Sequence, residues 1–216
     1  MKSIKYRIIN EDYSISLTLT EVLNKIVEKS CDEQLINLIQ KEKDLFNGKV
    51  PNIDYDYAQT IHGVHNFGDK YNIFQFHNAS IHKLFKALRD MTIEACQYYG
   101  IDFDSQTYMI QGWFNINYTK KGKLDWHDHG PIGAPNFHGY YCVSAEPSIT
   151  HYRVYGKDVE NHNKNNRLIL SEMSHPHAMG DWSWDGPRIT VAYDVLPLKD
   201  LMSFGSHQEQ HWIPLC

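Results

Sequence analysis

The sequence predicts a mainly β fold with a helical N-terminal layer, its strands closing an antiparallel jelly-roll. Three observations carry this expectation. Apolar residues recur at helical intervals up to Gly100. Beyond Gly100 the period falls to two. The alternating stretches are short and separated by turn-rich segments, as in an antiparallel sandwich or barrel. At 216 residues with no internal repeat, the chain reads as a single domain over 1–216, helix-rich over 1–100 and jelly-roll over 101–216.

Each element has its own signal. Thr18 to Glu21 has capping-box spacing, and Leu19, Val22, Leu23, Ile26 and Val27 follow at helical intervals. Ser30 to Glu33 repeats the start signal ahead of Leu35, Leu38, Ile39, Leu45 and Phe46. GKVPNIDYDY is a loop by its Gly, Pro and Asn content. A third helix is expected from about Ser80 to Tyr99, with Ile81, Leu84, Phe85, Leu88 and Met91 as its apolar stripe and Gly100 as its stop. Strands are expected at Tyr108 to Tyr118, His138 to Ala145, Ile149 to Tyr155, Arg167 to Leu170 and Arg188 to Val195. Asn161 to Asn166 (NHNKNN) is polar throughout and reads as an exposed loop.

Composition narrows the function classes. The formal net charge is -5, and the densest basic cluster, Lys120, Lys121 and Lys123, suits a loop rather than a phosphate-binding stripe. Nucleic-acid binding is therefore not favoured. No apolar run approaches the roughly 18 residues of a membrane helix, and the first residues lack the apolar centre of a secretory signal. Cys31, Cys96, Cys142 and Cys216 form no CxxC pair and read as small buried hydrophobes. A cytoplasmic location is the expectation. Oligomeric state is not legible.

Histidine is the unusual feature. Seven of the 13 histidines lie between His127 and His177, and imidazole is the commonest transition-metal ligand near neutral pH. In LDWHDHG, His127 and His129 are two apart, so on an extended segment both rings face one way and Asp128 the other. HPHAMGDW supplies His175 and His177. In PRITVAYDV, Arg188 and Thr190 share one strand face while Ile189, Val191 and Tyr193 share the other.

This order resembles the Fe(II)/2-oxoglutarate-dependent dioxygenase superfamily: an early His-x-acid, a distal His, then an Arg followed by x-Ser/Thr. The stretch GKLDWHDH resembles the one that delivers the proximal ligand in the nucleic-acid dealkylase branch, and FHGYYCVSAEP resembles the Ser-Gly-x-Tyr-Tyr strand of bacterial and phage hydroxylase-like members. The resemblance covers about Tyr108 to Pro197. It implies a double-stranded β-helix, Fe(II) and 2-oxoglutarate as cofactors, O2 as co-substrate, and hydroxylation of an unactivated C–H bond of a small molecule or protein side chain. It implies His127, His129 and His177 as metal ligands, Arg188 as the partner of the keto-acid's far carboxylate, and Thr190 and Tyr118 as supports. Such a facial triad leaves three coordination positions free, and a guanidinium fork suits a carboxylate.

The chain departs from that pattern where the acid belongs, because position 129 is His. Three arrangements are open: three histidines, Asp128 on the metal after a strand distortion, or two protein ligands and an open position. His175 competes with His177 as distal ligand, and the eleven-residue spacing to Arg188 favours His177. His138 either lines the pocket or packs as a hydrogen-bonded core histidine. Trp113, Trp126, Trp182 and Trp184 are packing residues or a substrate wall. Arg153 and Lys157 are solvated cations or anion contacts. Two other function classes fit the bare pattern: a three-histidine metal dioxygenase or isomerase without keto-acid, and a non-enzymatic jelly-roll. Arg188 with Thr190 argues against the first, and the retained histidines argue against the second.

Overall fold

The computed structural model describes residues 5–8, 72–104, 106–117, 125–130, 136–185, 188–202 and 212–216. The two helices expected between Thr18 and Phe46 lie outside them. Helix α1 (Ala79–Tyr98) is the expected third helix. It starts one residue early because Asn78 caps it, accepting from Ser80 N at 2.8 Å and Ile81 N at 3.4 Å. Ile81, Leu84, Leu88 and Met91 are buried, and Phe85 packs at the margin. Gly100 ends the turn with φ +68, a conformation that favours glycine.

The strands are β1 (Lys5–Ile8), β2 (Tyr108–Asn117), β3 (Phe137–Ser144), β4 (Ser148–Val154), β5 (Lys157–Asn163), β6 (Arg167–Glu172), β7 (His177–Trp182), β8 (Arg188–Pro197) and β9 (Ile213–Pro214), with a one-turn helix α2 (Leu198–Leu201) before the last. They form a six-stranded sheet, β1-β6-β3-β8-β2-β9, and a three-stranded sheet, β5-β4-β7. Every strand pairing is antiparallel. Among the described residues no helix is long and apolar enough to cross a membrane.

The larger sheet is buried on both faces. On β8, Ile189, Val191, Tyr193 and Val195 are buried on one face, and Arg188, Thr190 and Ala192 line a cavity on the other. On β2, Gly112 lies against the Phe74 ring while Trp113 and Asn115 line that cavity. Alternation thus sends one set of side chains to the core and the other to the space between the sheets.

The Asn161 to Asn166 expectation fails. Asn161 to Asn163 close strand β5, and Asn163 and Asn166 are buried. Their amides saturate groups that would otherwise be orphaned. Asn163 accepts from Tyr140 Oη at 2.7 Å and donates to Ser148 Oγ at 2.8 Å and Thr150 Oγ1 at 3.1 Å. Asn165 accepts from the backbone of Ala145 at 2.7 Å, and Asn166 from Tyr141 Oη at 2.8 Å. A run of asparagines here is an internal hydrogen-bond bracket, not a solvated loop. The expected burial of cysteine holds for Cys96 and Cys142, while Cys216 is exposed.

Candidate metal and keto-acid site

His127 and His177 are joined through their backbones. His127 N donates to His177 O at 3.1 Å, and His177 N donates to His127 O at 2.8 Å. This isolated antiparallel bridge holds the two rings 4.3 Å apart by centroid. Two residues on, His129 N donates to Met173 O at 3.1 Å, and its ring lies 5.3 Å from His127 and 5.2 Å from His177. The i, i+2 geometry therefore operates as expected. Donor atoms of His127, His129 and His177 all lie within 4.8 Å of one another.

The tautomers follow from the acceptors. His127 Nδ1 faces Asp125 O at 2.8 Å, and His177 Nδ1 faces His175 O at 3.3 Å. A carbonyl oxygen only accepts, so each Nδ1 carries the hydrogen. His129 Nδ1 lies 3.2 Å from Asp194 Oδ1 and 3.3 Å from Oδ2, and an ionised carboxylate likewise only accepts. Each ring is thus left with Nε2 as a lone-pair donor. The Nε2 of His129 is buried with no hydrogen-bond partner. Outer acceptors that fix imidazole tautomers are the usual support of a metal centre, and an unpartnered buried nitrogen is costly unless something binds it. The donor set fits Fe(II).

Electrostatics favour the neutral form of His127 and His177. Burial pulls the His177 pKa well below its ordinary value, with the neighbouring histidines adding to it. Burial also lowers His127, against the Asp125 carbonyl. His138 falls to about 4, through burial and then His129, although it donates to Asp194 Oδ1 at 2.7 Å. Burial pushes the Asp194 carboxyl up, but the imidazoles of His129 and His138 outweigh it and hold Asp194 below the usual carboxylate range.

Arg188 occupies the other end of the cavity. It is 5 % exposed, and among the described residues no carboxylate lies within 4 Å of its guanidinium. Its Nε donates to Ser148 Oγ at 3.3 Å and a terminal nitrogen to Thr150 Oγ1 at 3.4 Å. Burial lowers its pKa, yet a guanidinium stays charged in proteins. A buried cation held by two long hydroxyl contacts calls for an anion, which fits the far carboxylate of a keto-acid.

The cavity, about 540 Å³ with its open mouth, brings His127, His129, His177, Arg188 and Thr190 together. Tyr118 lies outside the described residues. Asp128 is exposed, and His129 takes the inward position. His175 is buried elsewhere, its Nδ1 2.8 Å from Ser171 Oγ and its Nε2 3.6 Å from Glu172. His138 meets both of its expectations: it lines the cavity and is hydrogen-bonded, its ring stacked 3.6 Å from His129. Of the tryptophans, Trp113 lines the cavity, while Trp126 is exposed beneath Arg153 at 4.4 Å. Arg153 also pairs with Asp158 at 2.9 Å. Sequence reading missed Asp194, Ser148, Thr150 and Asn163. Continuing the Arg188, Thr190 alternation by two further steps reaches Asp194, which was the available signal for it.

The fold is the double-stranded β-helix found in Fe(II)/2-oxoglutarate oxygenases, and the solved structures similar to the chain are mostly members of that group. It is similar to the non-heme α-ketoglutarate-dependent carbocyclase SnoK of nogalamycin biosynthesis, with a TM-score of 0.53 and 8% identity over 99% of this chain and 90% of that one. It is also similar to a prolyl hydroxylase from Trichoplax adhaerens, solved with a hypoxia-inducible-factor peptide fragment (TM-score 0.50, 11% identity, 91% and 99% covered). The match to the non-heme monooxygenase ThoJ in its nickel complex, at 13% identity and TM-score 0.40, covers 60% of this chain and 53% of that one, so the chain spans about half the length of that relative. No family model matches the chain, and no curated protein matches it by sequence. Identities this low establish the fold, and the chemistry rests on the residues.

Proposed function

We propose that this protein is an Fe(II)- and 2-oxoglutarate-dependent oxygenase that hydroxylates an unactivated C–H bond of a small molecule or a protein side chain. The observation that carries the reading is the pairing, in one cavity, of three converging imidazoles whose Nδ1 atoms face acceptors with a buried arginine that has no carboxylate partner among the described residues. His127, His129 and His177 would hold the metal. Arg188 would anchor the far carboxylate of the keto-acid, oriented by Ser148 and Thr150, with Thr190 two residues along the same face. When bound, Fe(II) and 2-oxoglutarate supply the oxidising power by activating O2. The protein's own contribution is to fix donor tautomers, to neutralise the keto-acid carboxylate in a buried setting, and to exclude water from the cavity floor. The acidic chain makes a small molecule or protein side chain a better substrate class than nucleic acid.

The test is anaerobic titration with Fe(II) and 2-oxoglutarate. A weak visible band from metal-to-ligand charge transfer is expected, and its absence with both components present would remove the keto-acid from the reading. Arg188→Ala is expected to weaken 2-oxoglutarate binding roughly thirtyfold or more while sparing Fe(II), because truncating one partner of a buried charge pair costs about 2–5 kcal/mol. An unchanged dissociation constant would place the keto-acid elsewhere.

A further inference from the structure

Three neutral imidazoles leave a divalent ion with no protein charge among its ligands. The structure puts that charge one bond-network further out. Asp194 follows Arg188, Thr190 and Ala192 on the cavity face of β8. Its side chain is 14% exposed, and its carboxylate meets Nδ1 of His129 at 3.2 Å and Nδ1 of His138 at 2.7 Å. Those two imidazoles are its ion-pair partners, and no Lys or Arg joins them among the described residues. His138 is the cross-strand neighbour of Asp194 on β3, and its ring stacks on His129 with an interplanar angle of 19°. The carboxylate is therefore clamped by one histidine and directed at the other. A carboxylate this buried, held between two imidazoles, is costly unless positive charge lies close by. One imidazole away is the convergent set of Nε2 donors.

We infer that Asp194 is the positioning residue of the metal centre, supplying through His129 the negative charge that a directly bound carboxylate would otherwise give. The inference rests on the metal reading above. It makes His129 a stronger donor than either of its companions, whose Nδ1 atoms face uncharged carbonyls. It also makes Asp194 dispensable once position 129 carries its own carboxylate.

The experiment is Mn(II) titration of the metal-free protein, followed by the electron paramagnetic resonance signal of free Mn(II). Asp194→Asn is expected to raise the dissociation constant roughly 10–100-fold, the usual effect of losing an outer-shell carboxylate. In a His129→Asp background the same substitution is expected to change affinity by no more than about twofold, the margin for independent sites. A merely structural role would cost the same in both backgrounds and would overturn the inference, as would unchanged affinity in Asp194→Asn. If Asp194→Asn does not fold, the Co(II)-loaded parent protein decides: shifted N–H resonances from all three ligand imidazoles support Nε2 binding, while ligation of His129 through Nδ1 overturns it. A second ion per chain that is lost on His138→Phe would place Asp194 on a metal directly, and also overturn it. Failure of the unaltered protein to bind Mn(II), Co(II) or Fe(II) would instead remove the metal reading itself.

Discussion

At position 129 an imidazole points into the cavity while the neighbouring Asp128 carboxylate points to solvent. That choice is made by the backbone. His129 N is tied to Met173 O and His127 N to His177 O, so both odd positions face inward. Asp128→Asn is accordingly expected to leave metal affinity unchanged. His129→Asp is expected to retain binding, and His129→Ala to lose more than the roughly 10–100-fold typical of an outer-shell partner. Calorimetric titration with Mn(II) checks all three. If Asp128→Asn lost affinity and His129→Ala kept it, Asp128 would be the third ligand. The same logic applies to the distal position. His177→Ala is expected to abolish binding without unfolding the protein, whereas His175→Ala is expected to disturb only the Ser171 and Glu172 contacts. Retained metal binding in the first and its loss in the second would exchange their roles.

Among the elements, alternation made β2, β3, β4, β6 and β8 legible, since each is a pleated strand with a strongly apolar face. Strand β5 escaped because its side chains are largely exposed, as its position at the edge of the smaller sheet permits, and only Asn163 at its end is buried. Strand β7 escaped because Gly180 interrupts it, its backbone lying against Ile149 O and His151. The convergence of the His127 and His129 rings was legible from spacing, because i, i+2 placement on an extended segment is a local geometric feature. Asp194 and the Ser148, Thr150 and Asn163 bracket were not, because they act across strands whose register a single sequence does not display. Gly139 illustrates the same point. It sits between β6 and β8, where a Cβ would strike the Ile169 backbone oxygen and the Tyr193 hydroxyl, which donates to that oxygen. Ile169 belongs to the strand paired with β3, and moving the Tyr193 hydroxyl breaks its hydrogen bond to that oxygen. Gly139→Ala is expected to destabilise the fold by at least about 1–3 kcal/mol, read from the urea unfolding midpoint. An unchanged midpoint would mean that the sheet spreads at no cost.

For the whole molecule, the buried histidines tie stability to pH. His138, His177 and His127 all have pKa values depressed in the folded state, chiefly by burial. In the unfolded chain each returns to about 6.5. Between that value and the folded one, the unfolded chain binds protons that the native state refuses, so stability rises with pH across this window. The contribution is fully present above about pH 6.5 and is lost as pH falls toward the folded values. For His138, which is 4% exposed with a folded value of about 4, the difference amounts to about 3 kcal/mol. Asp194 acts lower on the scale. Its folded pKa lies below the usual carboxylate range, so its contribution persists until pH drops under about 4 and then adds to the loss. A bound metal makes the dependence steeper, because each imidazole must be neutral to ligate. The metal-free protein is therefore expected to melt at progressively lower temperature as pH is taken from about 7.5 to about 5, within the range set by His138 and His177. His138→Gln is expected to flatten that slope by removing one titrating group. A melting temperature independent of pH over this interval, in the unaltered protein, would mean that these imidazoles are solvated rather than buried, and would also remove the electrostatic basis for holding their Nε2 atoms free for a metal.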